Sequence, residues 1–201
     1  MTPFTTVEGH AAPLMQDNID TDVIVRIERI AKLQRGQFAP WAFEALRYRA
    51  DGSEESAFIL NREPFRGAQI LIAGANFGCG SSREMAVWAI QEFGISCIIA
   101  PSFGDIFYGN CLQNGVLPIM LERARTEALA AAAAAGSKVT VDLQACTVST
   151  AATGAIGFTI APAQREALLS GLDEVDQTLG MSGQIGLFQQ QDRRARPWVY
   201  A

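Results

Sequence analysis

The chain has 201 residues, 49% hydrophobic and 18% charged, a balance that describes a folded globular protein and excludes a disordered one. Its net charge of −5 argues against broad nucleic-acid binding. There is no apolar run of about 18 residues for a membrane span, and no basic flank with an apolar core for a secretory signal, so cytoplasmic residence is the expectation.

In chain order, Thr2 to Pro13 reads as a polar entry with some β character, and Asp17 to Asp22 as a turn, since Asp and Asn side chains bond their own backbone. Val23-Ile24-Val25 reads as a short strand. Arg26 to Tyr48 is helical or irregular, anchored by Trp41, Phe43 and Leu46, and Arg49 to Glu55 is a polar loop. Gln69 to Ala73 and Ile95 to Ala100 are apolar runs of the kind buried in parallel sheets, with Val116 to Met120 as a third strand. Helices are expected over Ser82 to Phe93, closed by Gly94, and over Phe103 to Leu112. This β-α-β-α-β order implies parallel pairing with right-handed crossovers.

Glu122 to Ala135 reads as an alanine-rich helix stopped by Gly136. Val139 to Leu143, Thr147 to Thr150 and Ile156 to Ile160 read as an antiparallel section, and Pro162 opens a helix to about Ser170. From about residue 189 the chain is polar, and Arg193, Arg194 and Arg196 make a basic tail that reads as a solvated terminus or as packing on a partner. Neither a repeat nor a linker interrupts residues 1–201, so one domain is expected.

The chemistry concentrates in Gly74-Ala75-Asn76-Phe77-Gly78-Cys79-Gly80-Ser81-Ser82-Arg83-Glu84. A strand precedes it and a helix follows, so free N–H groups and the helix dipole favour an anion there. Arg83 suits bidentate recognition of a carboxylate, and Ser81 and Ser82 supply hydroxyls. The run lacks the lysine of a phosphate loop, and Arg83 stands where a dinucleotide fingerprint needs glycine. Taken alone, Gly-Ser-Ser-Arg also fits a plain serine-capped helix start. A small di- or tricarboxylate is the expected ligand.

The four cysteines, Cys79, Cys97, Cys111 and Cys146, form no Cys-x-x-Cys pair, and His10 is the single histidine, so no metal or cofactor site is expected in this chain alone. Cys97, Cys111 and Cys146 read as structural. Cys79 lies in the glycine loop, where it either packs or contacts a ligand.

The eleven-residue run closely resembles the Asn-Phe-Gly-Cys-Gly-Ser-Ser-Arg-Glu-His signature of the small subunits of 3-isopropylmalate dehydratase, an aconitase-like swivel domain. Asn18-Ile19-Asp20-Thr21-Asp22 resembles the family's Asn-x-Asp-Thr-Asp, and Ala100 to Asn110 its Ala-Pro-Ser-Phe-Ala-Asp-Ile-Phe-Tyr-Gly-Asn. Gly115-Val116-Leu117-Pro118 and Gly171-Leu172-Asp173 follow in order.

The resemblance implies an α/β fold, the swivelling β/β/α barrel-like domain of the aconitase C-terminal domain. It also implies a hydro-lyase of leucine biosynthesis, isomerising 2-isopropylmalate and 3-isopropylmalate by dehydration and rehydration. A separate large subunit would carry the 4Fe-4S cluster. Ser81 matches the alkoxide-type base, Ser82 and Arg83 match substrate-carboxylate ligands, and Asp20 and Thr21 match the Asp-Thr-Asp turn at the site rim. Asp105, Tyr108 and Asn110 match residues that support the loop. The chain departs from the pattern at Met85, where the family has histidine, at Val87 in place of proline, and at Val23-Ile24-Val25-Arg26 in place of Ile-Ile-Pro-Lys. Residues 26–38 lie where the family sets side-chain specificity. Two alternatives stand beside the first reading: a related hydro-lyase for 2-methylmalate or citraconate, and a non-catalytic carboxylate-binding module.

Overall fold

In the computed structural model, which describes residues 1–80 and 83–200, one seven-stranded sheet organises the chain in the order β4-β3-β2-β1-β5-β6-β7. The strands are β1 (Thr6–Leu14), β2 (Ile70–Ala73), β3 (Cys97–Ala100), β4 (Leu117–Met120), β5 (Lys138–Asp142), β6 (Thr147–Thr150) and β7 (Gly154–Gly157). The helices are α1 (Thr21–Ile24), α2 (Ile27–Ile30), α3 (Glu44–Arg47), α4 (Glu84–Phe93), α5 (Asp105–Gln113), α6 (Arg123–Ala134), α7 (Pro162–Ser170), α8 (Glu174–Gly180) and α9 (Ser182–Ala195). Short 3-10 turns occupy Ala39–Trp41, Ile59–Asn61 and Pro197–Val199.

β1 to β4 run parallel, with Ala11 opposite Ile70 and Cys97 opposite Leu117, as the strand–helix alternation predicts. β1 also pairs antiparallel with β5, and β5, β6 and β7 form a meander. Successive strand residues feed opposite cores because side chains alternate across a sheet. Leu71, Ala73, Ile98 and Ala100 join one core with Ala86, Val87 and Ile90 of α4 and with Phe38, Phe43 and Phe77. Ile70, Ile72, Cys97 and Ile99 join the other with Leu129, Ala130 and Ala133 of α6 and with Leu168 of α7. All four residues of β2 and of β3 are buried, which is what their unbroken apolar runs require.

Two expectations are corrected. Val23 and Ile24 belong to helix α1, with Val25 its C-cap: the Asp20 carboxylate accepts a 2.8 Å hydrogen bond from the Val23 N–H, and this N-cap outweighs the β-preference of the sequence. The last strand is Gly154–Gly157 in place of Ile156 to Ile160. Thr150 Oγ1 accepts from the N–H groups of Ala152 and Thr153 at 3.2 and 3.0 Å, and the turn it builds sets that register. The segment after residue 189, for which the sequence suggested only polarity, continues α9 to Ala195 and then makes a 3-10 turn, with Arg193, Arg194 and Arg196 exposed.

The irregular segment from α2 to β2 is pinned to α4. The Glu92 carboxylate accepts from the N–H groups of Gly36 (2.6 Å) and Phe38 (2.5 Å). Arg47 is buried, donating to the carbonyls of Pro40 and Ala42, while Asn61 Nδ2 donates back to the Arg47 carbonyl at 2.7 Å.

Candidate functional site

The C-terminal ends of β1, β2 and β3 each release a loop on the same edge of the sheet, the place where parallel α/β sheets form ligand crevices. The glycine-rich loop after β2 lies between the other two. On one side the Gly78 N–H donates to the Ile19 carbonyl (2.7 Å) and the Thr21 N–H to the Cys79 carbonyl (3.1 Å). On the other, the Phe77 N–H donates to the Ser102 carbonyl (3.1 Å) and the Gly104 N–H to the Phe77 carbonyl (2.9 Å). Side chains lock the same three loops. Asn76 Nδ2 donates to Asn18 Oδ1 at 2.8 Å, its backbone N–H donates to Ser102 Oγ at 2.8 Å, and the Ala75 N–H donates to Asp17 Oδ1 at 2.7 Å. Arg123 bonds the same Asp17, and chiefly for that reason the Asp17 carboxyl is held below its ordinary value.

Two glycines are required by close approach. Gly78 has a φ of +71°, and a Cβ on it would lie 2.2 Å from the Phe107 ring. A Cβ on Gly104 would lie 2.7 Å from the Gly78 carbonyl oxygen. The loops are therefore stacked backbone on backbone, with Phe77, Phe103 and Phe107 packed edge to face beneath them.

This packing leaves a cleft of about 380 Å³. Thr21, Asn76, Arg83 and Asp105 give it a polar side; Phe103, Ile106 and Phe107 give it an apolar side. Arg83 is the N-cap of α4 and forms an ion pair with Asp22, in the first turn of α1. Most of the Arg83 side chain is covered while about half of Asp22 is exposed, so the ion pair sits at the mouth. A fixed guanidinium beside a helix N-terminus is suited to hold a carboxylate, and the aromatic and aliphatic wall to receive a branched alkyl group.

Of the residues singled out in the sequence, Thr21 and Arg83 both line this cleft. Asp20 caps α1 and faces a neighbouring groove with Asp22 and Arg26. Ser81 and Ser82 lie outside the described residues. Asp105 lines the cleft, the half-buried Tyr108 packs its ring 5.9 Å from Phe103, and the Asn110 carbonyl accepts from Asn114. Met85, where the resemblance has histidine, packs against the core beside α4, and Val87 is fully buried there. Neither lines the cleft.

Sequence reasoning missed Asp22, Ile106 and Asn114. Asp22 stood in the quoted Asp-Thr-Asp string, but it lies 61 residues before Arg83, so spacing gave no sign that it would be the arginine's partner. Asn114 gave no signal. Buried, it accepts from Trp88 Nε1 (3.0 Å) and Arg35 (3.2 Å) and donates to Glu84 (3.0 Å), joining α4, α5 and the segment before Phe38.

The four cysteines do not fit an iron–sulfur cluster. Burial pushes the thiols of Cys97 and Cys111 up, away from the thiolate a cluster needs. Cys146 donates to the Leu143 carbonyl, leaving Cys79 as the cysteine that lines the cleft. Among the described residues, no three His, Cys, Asp or Glu side chains are grouped to hold a metal.

Residues 1–124 match the family model described as the aconitase C-terminal domain. Over its full length the chain is 48% identical to the 3-isopropylmalate dehydratase small subunit of Cupriavidus necator, covering 99% of that protein. The chain belongs to the 3-isopropylmalate dehydratase small subunit family. It is 44% identical to the member from Roseobacter denitrificans, across 99% of this chain and all of that one. The crystal structure of a 3-isopropylmalate dehydratase from Methanocaldococcus jannaschii shares the fold, with a TM-score of 0.63 at 24% identity over 93% of this chain and 99% of that one. The expected swivel-domain architecture is thus the observed one. No described helix is long and apolar enough to cross a membrane.

Proposed function

We propose that this chain is the small subunit of a cytoplasmic hydro-lyase that interconverts 2-isopropylmalate and 3-isopropylmalate in leucine biosynthesis, acting as one swivel domain over residues 1–201. The observation that carries the reading is the two-sided cleft: a guanidinium at a helix N-terminus faces an aromatic and aliphatic wall, which matches a hydroxy dicarboxylate with an isopropyl tail. The full-length similarity to small subunits named for this dehydratase supports it.

In this reading Arg83 grips one substrate carboxylate in a bidentate pair, and Ser82 and Thr21 donate to it. Ser81 removes the proton alpha to that carboxylate and later returns it at the neighbouring carbon. A serine can do so only with its pKa driven far down by clustered N–H donors, Arg83 and the start of α4. A 4Fe-4S cluster carried by the large subunit would, when bound, supply the Lewis acid for the departing hydroxide, outside this chain. The Arg83–Asp22 pair holds the guanidinium ready, and the locked loops hold the donors in place before substrate arrives.

The test mixes this chain with a cluster-loaded large subunit and follows the ultraviolet absorbance of the unsaturated intermediate, with isopropylmalate and 2-methylmalate side by side. Turnover of isopropylmalate is expected. Turnover of methylmalate alone would reassign the substrate, and silence with both despite complex formation would leave a carboxylate-binding module.

A further inference from the structure

We propose that the C-terminal arm, Leu172 to Tyr200, is the surface by which this chain grips the large subunit; the inference rests on the small-subunit reading above. Ten of the fourteen exposed large apolar side chains among the described residues lie in this arm. Val175 and Leu179 stand one turn apart on α8, and Met181, Ile185 and Phe188 make a stripe at helical spacing along α9, flanked by Leu187. Phe188 and Leu187 are each 61% exposed and Trp198 is 71% exposed, while no residue of α9 is buried. Such a stripe on a water-facing helix marks a contact surface.

The arm is built, not frayed. Asp192 accepts from Arg196 Nε at 2.6 Å and from the Tyr200 hydroxyl at 2.8 Å, and Arg193 lies 5.1 Å over the Tyr200 ring, so the final turn is fastened onto α9.

The exposed area fits one partner footprint. The chain exposes 10512 Å². A compact monomer of its mass would expose roughly 9,200 Å², leaving an excess of about 1,300 Å². A standard interface covers about 800 Å² on each partner.

The occupant follows from where the arm lies in the chain. The aconitase C-terminal domain match ends at residue 124, whereas the small-subunit relatives match through the whole chain. A domain that is the C-terminal part of a longer chain is held by its covalent linkage. Supplied as a separate subunit, it needs a non-covalent grip, and the arm is an appendage of the required size. Its receptor is an apolar groove on the large subunit, with an acidic edge where Arg193 and Arg194 close α9.

The experiment compares the full-length chain with the double variant Phe188→Asp/Trp198→Asp, and with Gln190→Asp on the side of α9 opposite Phe188. Association with the cluster-loaded large subunit is measured by analytical ultracentrifugation, alongside turnover and thermal unfolding of each chain alone. The double variant is expected to weaken association by about 100-fold or more, as loss of a hot spot does. It should unfold at the wild-type temperature and regain wild-type kcat when the large subunit is in excess. Gln190→Asp should behave as wild type. Unimpaired association of the double variant would overturn the inference, as would an arm that pairs only with a second copy of this chain. A wild-type complex that turns over neither malate would instead remove the functional reading and leave the docking result standing.

Discussion

Gly78 shows most sharply how little freedom the site leaves a single residue. Its φ of +71° suits glycine, and the Phe107 ring fills the space a Cβ would take. Gly78→Ala is therefore expected to lower unfolding free energy by roughly 2 kcal/mol or more, read from denaturant melts, because both backbone strain and ring displacement oppose it. Residues of the chemistry behave differently. Ser81→Ala and Arg83→Lys should leave the melting temperature within a degree or two. In the reconstituted complex, if Ser81 transfers the proton as proposed, its loss should reduce kcat by about 10²- to 10⁴-fold. Lysine at position 83 should cost chiefly carboxylate binding, since it lacks the planar fork of the guanidinium. Normal turnover in both variants would remove the assigned roles.

Among elements, α4 is held at both ends by groups that local sequence pattern did not reveal. Glu92 near its C-terminus captures the backbone of Gly36 and Phe38; Asn114 reaches Glu84 and Trp88 from beyond α5. Asn114→Ala would strand the Trp88 N–H and the Glu84 carboxylate together, and is expected to destabilise the fold by about 1–3 kcal/mol in chemical denaturation. The strands and helices of the parallel half were legible because burial on both sheet faces imposes long apolar runs and burial of one helix face imposes 3.6-residue spacing. The Val23–Val25 segment was misread because a side-chain cap is decided by one hydrogen bond, and α9 went unassigned because glutamine-rich polarity conceals an apolar stripe. The anion loop was legible as a string; its Asp22 and Ile106 neighbours were not, since the topology, and not the spacing, brings them to the cleft.

For the molecule as a whole, several surface carboxylates depend on arginine partners. Arg49 holds the Glu55 carboxyl down to about 2 from an ordinary 4.5, and Arg66 and Arg123 lower Glu54 and Asp17 in the same way. A carboxyl whose folded-state pKa is depressed contributes stability above its unfolded pKa and loses that contribution as pH falls through the folded value. Stability should therefore decline between about pH 4.5 and 2. The difference between wild type and Glu55→Gln, followed by urea melts across that range, should shrink toward zero at its acid end. A difference that persists unchanged at pH 2 would show that the pair does not titrate in this way.

The sheet order also has a consequence for synthesis on the ribosome. β1, made before β2 to β7, ends up in the middle, with β2 on one side and β5 on the other. His10 meets Lys138, so the strand waits for 128 more residues before its second neighbour exists. At the usual pace of translation, roughly 5–20 residues per second, that wait lasts roughly 6 to 26 seconds. Throughout it the nascent chain carries an open edge from Thr6 to His10, which makes this subunit a client for whatever shields emerging polypeptides, and a chain whose yield should respond to elongation speed.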